Sequence, residues 1–484
     1  MKDLPQQWQG ARVSILGVAR SGMALGRVLA GRGARVLLSD QRPEAELGSL
    51  VEEARSLGME LEMGGHSPRL LECDALLISP GVSLYSDWVQ RALEAGVPVA
   101  GEVEIAYRLG SKPLLAVTGT NGKSTTCSLL QAALGRRGRL AGNIGIPLVS
   151  EVTSELPGVD YVVAEISSFQ LETVHTFRPH LAVLTNITPD HLDRHRTMQE
   201  YVRAKARLFA FQQASDWALF NFDDPAAEMV SQWVARGEVP AWPPFPSPGG
   251  ERPQVLGYTV TQRPVRGAWL DGDWIMIDLC GSRPQRFLRW EFPNLPGPHN
   301  LSNGVAAALA AACVGASAEE VSRAFAGYQR MHHRLEEVGR WAGKRFIDDS
   351  KATNVSSVES ALQTYREPIV LIAGGRDKGL DLEELGRVIA AHCHALVVIG
   401  EAGPRIAEAS ARNGMIRIES APTLDEAVRR AAQLCPDPGV VLLSPACTSF
   451  DMFRNAEHRG EEFAASVRRW LENTSALAGQ REVG

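Results

Sequence analysis

The sequence predicts an α/β protein of three domains, and three observations carry that expectation. Short apolar runs alternate with stretches of helical periodicity at residues 13–17, 35–39, 75–79, 114–118, 161–165, 181–186, 369–374, 395–400 and 440–444. This rhythm marks strand–helix–strand units and parallel sheets. With 484 residues the chain exceeds one core of usual size and fits about three domains. So many strands call for three sheets, with no internal repeat of fixed period. Boundaries fall near residues 110–113, just before a strand that runs into a glycine-rich loop, and near 331–333, where a helix at 321–329 ends before a strand at 345–347. The expected domains are therefore 1–110, Rossmann-like; 111–331, a central domain resembling phosphate-loop (P-loop) ATPases; and 332–484, again Rossmann-like.

Within the first domain, Gly17-Val18-Ala19-Arg20-Ser21-Gly22 lies between a strand and a helix, and Asp40 closes the next strand. Ala19 occupies the second glycine position of G-x-G-x-x-G, so dinucleotide binding has little support. A grip on a nucleotide diphosphate at the helix start, with Asp40 and Arg42 close by, is physically reasonable, as is a purely structural Rossmann-like fold.

The central domain opens with T-G-T-N-G-K-S-T at residues 118–125, directly after an apolar strand. Gly119 and Gly122 let the backbone turn and approach a ligand, and the amides of Thr120, Asn121 and the residues entering the helix point at phosphate oxygens. Lys123 is placed to meet terminal phosphates, and Ser124, followed by Thr125, to reach a phosphate-bound magnesium ion. The loop is shorter than the general pattern, with Val117 where the first glycine would fall. Residues 161–165 read Y-V-V-A-E, a buried strand ending in Glu165, the candidate to complete the magnesium shell. Another strand end leads into Asp190-His191-Leu192-Asp193-Arg194-His195. His191 could ligate a second metal or position an incoming group, or be an ordinary surface histidine.

A helix at 200–211 places Tyr201, Lys205, Leu208 and Phe209 on one side. Lys205 either snorkels from that apolar stripe or, partly desolvated, reacts as a neutral amine with carbon dioxide to give a carbamate that can hold magnesium. Residues 239–253, with Pro240, Pro243, Pro244, Pro246, Pro248 and Pro253, read as a surface loop inside this domain, since strand-like segments at 274–278 and 287–292 follow.

In the last domain, residues 346–354 run from a strand into a polar turn. Lys351 could neutralise a transferring phosphoryl group, and Asp349 could hold a ribose hydroxyl. Loops at 374–379 and 444–449 are similar strand ends. Arg334, at a domain hinge, is expected near a nucleotide. His392-Cys393-His394 lacks a partner pair at ligand spacing and is rejected as a metal site.

Composition narrows the classes. The chain is 44% hydrophobic and 22% charged, with a net charge of −6. It carries no electrostatic footprint for nucleic acid or an anionic membrane, so anionic substrates need local cations. The start lacks the basic segment and apolar core of a secretory signal, and the alanine-rich run at 305–314 is short of the roughly 20 residues that span a bilayer. Seven scattered cysteines without a C-x-x-C pair fit reduced thiols. A cytoplasmic monomer without membrane insertion is expected.

The assembled motifs resemble the Mur ligase family along essentially the whole chain: G-V-A-R-S-G at 17–22, S-P-G-V at 79–82, T-G-T-N-G-K-S-T, G-N-I-G at 142–145, E-I-S-S-F-Q-L-E at 165–172, N-I-T-P-D-H-L-D-R-H at 186–195, D-S-K-A-T-N at 349–354 and L-S-P-A-C-T-S-F-D-M-F at 443–453. E-I-S-S-F-Q-L-E and D-S-K-A-T-N resemble its D-glutamate-adding branch. The resemblance implies an ATP-dependent amide ligase that joins D-glutamate to UDP-N-acetylmuramoyl-L-alanine through an acyl phosphate, in bacterial peptidoglycan precursor synthesis. It implies two magnesium ions, one held by Ser124 and Glu165 and the other by His191 and carbamylated Lys205. It further implies adenine or ribose contacts from Asn303, Arg334 and Asp349, and uridine diphosphate contacts from Asp40, Arg42 and Gly81. Asn143 would meet the muramoyl part, Lys378, Thr353 and Ser449 the D-glutamate, and Lys351 the phosphates. The last domain is then expected to close over the cleft, because water destroys acyl phosphates. Two positions depart from the family pattern: Ala456 stands where an aromatic residue is usual, and Asp348 replaces an asparagine. The rival readings are a folylpolyglutamate synthetase-like ligase, a phosphate-loop switch and an NAD-dependent oxidoreductase.

Overall fold

Three sheets form, each with its polar loops at the carboxyl ends of parallel strands. The structure, a computed structural model, describes residues 3–242, 245, 252–264 and 266–481, with side chains through residue 474. Pro243, Pro244, Pro246, Pro248, Gly249 and Gly250 of the expected proline-rich loop lie outside the described residues. Two compact units contain the sheets. Met1–Ile187, Thr197–Glu291 and Ser302–Ala326 make the first, and Thr188–Arg196, Phe292–Leu301 and Gly327–Gly484 the second.

The first unit carries two sheets. Strands β1 (Arg12–Leu16), β2 (Arg35–Asp40), β3 (Glu60–Met63), β4 (Ala75–Ile78) and β5 (Val99–Gly101) pair in parallel in the order β3-β2-β1-β4-β5. The order reverses beside β1, which opens a crevice at its carboxyl end. The second sheet takes β6 (Leu114–Thr118), β7 (Gly138–Gly142), β8 (Tyr161–Glu165), β9 (Leu181–Leu184), β10 (Trp217–Asn221), β11 (Gln254–Thr259), β12 (Gly267–Asp271), β13 (Trp274–Asp278) and β14 (Gln285–Arg289). Its order is β14-β13-β12-β11-β10-β9-β6-β8-β7. β6 is central and wholly buried, which explains why it reads as a continuous apolar run. A single apolar core joins the two sheets, with Val103 and Ile105 of one helix and Leu148 and Val149 of another all fully buried in it.

The second unit holds β15 (Glu336–Trp341), β16 (Lys344–Asp348), β17 (Ile369–Gly374), β18 (Cys393–Ile399), β19 (Ile418–Ser420) and β20 (Gly439–Leu443), in the order β15-β16-β20-β17-β18-β19.

The sheets are mainly parallel, as expected, with antiparallel strands at two edges. β12, β13 and β14 form an antiparallel meander, and β15 pairs antiparallel with β16. β13 is the strand-like segment expected at 274–278 and β14 overlaps that expected at 287–292, whereas the partly solvated β15, EEVGRW, carries no apolar run. The same holds for β3, with its charged sequence ELEM, and for the three-residue β19, neither of which stands out from sequence. The helix expected at 200–211 is an α-helix over Met198–Ala206 tightening into a 3₁₀ turn at Arg207–Phe209. That expected at 321–329 spans Ala318–Ala326. Among the described residues no helix is long and apolar enough to cross a membrane.

Candidate functional site

The loop after β6 turns on two glycines. Gly119 has φ +150° and Gly122 φ +83°, and a Cβ on Gly119 would come 1.8 Å from Thr185 Oγ1, one on Gly122 2.3 Å from Asn303 Oδ1. No other residue fits either place without moving its neighbours. The following strand end braces the loop: Asn121 N donates to Asn186 Oδ1 (2.9 Å), Asn186 Nδ2 returns to Asn121 O (3.2 Å), and Thr185 Oγ1 donates to the same carbonyl (2.6 Å). Thr120 Oγ1 lies 3.1 Å from the Tyr201 hydroxyl. Gly122 then caps the helix Lys123–Leu134 in the left-handed conformation, which aims the first helical amides into the turn. Thr125, on this helix, is half-buried.

Two lysine side chains converge on one oxygen of this loop. Lys123 Nζ donates to Gly119 O (2.9 Å) and Thr120 O (2.7 Å), and Lys205 Nζ donates to Gly119 O (2.7 Å). Lys205 is only 1% exposed and sits 4.5 Å from the centre of the Tyr201 ring, so it does not snorkel to solvent. Tyr201, Leu208 and Phe209 are buried beside it, as their spacing implies. A lysine at the entrance of a loop whose amides turn inward suits a bound anion.

Beside them Ser124 Oγ donates to Glu165 Oε2 (2.6 Å), and Asn143 Nδ2 donates to Glu165 Oε1 (2.8 Å). Glu165 ends β8, next to β6, so its buried carboxylate lies against the helix start. A serine hydroxyl and a carboxylate are hard oxygen donors of the kind magnesium takes, and this pair fits such an ion. Arg20, from the helix after β1, holds the Asn143 segment by donating to Asn143 O (2.9 Å) and Gly145 O (3.1 Å). Asn303 is buried under the loop, where its Oδ1 accepts from Thr126 Oγ1 at 3.5 Å.

The crevice at the end of β1 is a cleft of about 480 Å³ lined by Gly17, Asp40, His66, Gly81, Ser83 and Trp88, among others. Asp40 Oδ2 accepts from Val18 N (2.7 Å), and Arg42 donates through Nε to Asp40 Oδ1 (3.0 Å) and through Nη2 to Oδ2 (2.8 Å) and Val18 O (2.9 Å). Burial pushes the Asp40 carboxyl up, but these hydrogen bonds and the guanidinium charge outweigh it and hold the group at about 2. Asp40 and Arg42 therefore brace the turn that lines the cleft.

In the second unit His191 caps a short helix at φ +54°. The group at its centre is one that sequence reading passed over. Asp190, buried, pairs with Lys378 Nζ, accepts from Asn354 Nδ2 (3.0 Å) and lies 3.7 Å from His191 Nε2. Burial raises its carboxyl, and His191 and Lys378 more than offset that, keeping it below the usual range. Asp190, His191 and Lys378 border a pocket of about 220 Å³ with Ser356, Glu359 and Asp381. The neighbouring His191 drew attention in the sequence, and nothing local marked Asp190 as the hub.

Asp349 follows β16 and is buried, accepting from Ser444 Oγ (2.9 Å) and Leu335 N (3.4 Å). Burial lifts its carboxyl to about 7 against the pull of Arg334. Among the described residues Arg334 Nε is buried without a hydrogen-bond partner. Lys351 lies 3.3 Å from Glu457. Thr353 is half-buried next to Asn354, which caps the helix Val355–Leu362, and Ser449 is buried in the loop after β20. Of the two departures, Asp348 pairs with His333 Nδ1 (2.7 Å), while Ala456 opens the last helix and accepts from Ser350 Oγ (2.7 Å) through its carbonyl.

Comparison with known proteins agrees along the chain. Residues 11–101 match the Mur ligase MurD-like N-terminal domain, 117–243 the Mur ligase middle domain, and 333–447 the Mur ligase glutamate ligase domain. The UDP-N-acetylmuramoylalanine--D-glutamate ligase of Pelotomaculum thermopropionicum is 41% identical over 461 residues, 94% of this chain and 97% of that protein. The enzyme of the same name from Desulfosudis oleivorans is 39% identical over 476 residues, 98% of this chain and 99% of that protein. Among solved structures, UDP-N-acetylmuramate-alanine ligase MurC of Thermotoga maritima aligns over 96% of this chain and 100% of its own, with a TM-score of 0.56 at 17% identity, a likeness of fold alone. On its three matched domains and its near full-length relatives, the chain belongs to the Mur ligase family.

Proposed function

We propose that the protein is an ATP-dependent ligase that adds D-glutamate to UDP-N-acetylmuramoyl-L-alanine in peptidoglycan precursor synthesis. The observation that carries this reading is the convergence of the Lys123 and Lys205 side chains on one carbonyl of the glycine loop beside the Ser124–Glu165 pair. The relatives' shared name supports D-glutamate as the amino acid added.

In this reading residues 1–110 hold the uridine-linked precursor, 111–331 hold ATP and 332–484 hold D-glutamate. The precursor carboxylate attacks the γ-phosphate of ATP, a meeting of anions that Lys123 eases by its charge. Magnesium bound at Ser124 and Glu165 would offset phosphate charge further. The resulting acyl phosphate is a good electrophile where a carboxylate is not. The neutral amine of D-glutamate adds to it, and the tetrahedral intermediate collapses to an amide and inorganic phosphate as the amine sheds a proton. Asp40, Arg42, Gly81 and Asn143 serve the precursor, Asn303, Arg334 and Asp349 the nucleoside, and Thr353, Lys378 and Ser449 the D-glutamate. Lys351 serves the phosphates. The finer part of the proposal is a second magnesium, with His191 and Lys205 as donors and Lys205 carbamylated. A cytoplasmic monomer fits these soluble substrates.

Phosphate release with ATP and the precursor tests the reading, comparing D-glutamate with L-glutamate, L-lysine and meso-diaminopimelate. Release with D-glutamate alone is expected. Release with none of them, or preferential release with another, overturns it.

A further inference from the structure

The last helix of the second unit, Ala456–Arg481, sends one arginine into the protein interior. Arg459 is 1% exposed, among the largest fully buried side chains of the molecule. Its guanidinium donates through Nε to Ser350 Oγ (2.9 Å), through Nη2 to Ser350 O (2.7 Å) and through Nη1 to Cys447 O (3.0 Å). Ser350 Oγ in turn donates to Ala456 O (2.7 Å), which closes a ring back onto the start of the same helix. A third loop joins this junction. Arg376 N donates to Thr448 O (2.9 Å) and Thr448 N to Arg376 O (3.1 Å), and a Cβ on Gly375 would come 3.3 Å from Arg459 Nη1.

The three loops that meet there are the carboxyl ends of β16, β20 and β17. Ser350 immediately precedes Lys351, Cys447 lies two residues before Ser449, and Arg376 lies two residues before Lys378. A planar fork of donors can satisfy several oxygens in fixed directions at once, whereas an ammonium on a flexible stem cannot hold the same geometry. Small displacements of positioning groups cost rate steeply.

We propose that Arg459 is a positioning residue for the amide-forming step, a buried guanidinium that sets the three strand-end loops in register so that Lys351, Lys378 and Ser449 meet the phosphates and D-glutamate together. This rests on the functional reading of those three residues given above.

The test compares the full-length Arg459→Lys and Arg459→Ala variants with Lys378→Ala, measuring KM for D-glutamate and for the uridine precursor, kcat per active site, and thermal melting. In Arg459→Lys the D-glutamate KM rises about tenfold and kcat falls about tenfold, while the precursor KM stays within about twofold. Methylguanidinium added to Arg459→Ala restores part of the D-glutamate affinity. A variant that melts early but keeps normal KM values per folded molecule overturns the proposal, as does an equal rise in both KM values. If Arg459→Ala does not fold, the KM split in Arg459→Lys decides the matter. A D-glutamate KM unmoved in Lys378→Ala refutes the underlying site assignment instead, whatever the arginine variants do.

Discussion

The phosphate loop of the first unit and the strand-end loops of the second place their charges by opposite means. In the first, consecutive residues from Gly119 to Ser124 do the work through backbone shape, and the cations gather on a single carbonyl. In the second, buried polar groups are tied to partners far away in the chain: Asp190 to Asn354, 164 residues on, and Ser350 to Arg459, 109 residues on. Backbone-built sites fail when one residue changes shape, and sites built by buried pairing fail when a partner is lost.

The largest test of this contrast is Lys205→Ala. Loss of the Lys205 side chain, and with it the carbamate that would hold the second magnesium, should lower kcat by roughly 10³-fold, with partial recovery in the presence of short carboxylates that stand in for that carbamate. Full activity in the variant would remove Lys205 from the site and leave the loop dependent on Lys123 alone.

A sharper probe of the second unit is Asp349→Asn. The free carboxyl ionises near 3.8, but burial holds the folded group protonated up to about 7. Folding therefore takes up a proton between those values, so stability falls as pH rises from about 4 to 7, by at most about 4 kcal/mol. Denaturant titrations should show that slope in the native chain and a flatter one in the variant. Identical slopes would mean that Asp349 ionises normally. Below pH 4 the two proteins should differ little.

The smallest effect is expected at the cleft of the first unit. Arg42 is half-exposed, so Arg42→Ala should raise the precursor KM only about threefold and leave the ATP KM unchanged. A rise of a hundredfold would show that Arg42 carries most of the grip on the precursor, beyond its bracing of the turn through Asp40.

Legibility follows the same divide. β6, β8 and β17 are visible in sequence because strands buried on both faces read as apolar runs, and the loop after β6 is visible because each of its residues has a local job. Partly solvated edge strands such as β3 and β15 carry no comparable run. Asp190 and Arg459 look like ordinary polar residues beside better-known motifs. A buried carboxylate is recognisable only with Lys378 and Asn354 around it, and a helix arginine is recognisable as a clamp only once Ser350 and Cys447 lie across from it.

Chain-local chemistry, then, was settled by neighbours in the chain: glycines where φ must be positive, a lysine and serine at the helix entry, an acid at the end of the adjoining strand. Which distant groups neutralise, clamp and desolvate one another was decided only by folding. The dielectric and the hydrogen-bond partners around a side chain are properties of its surroundings in space, and residues more than a hundred positions apart supply them.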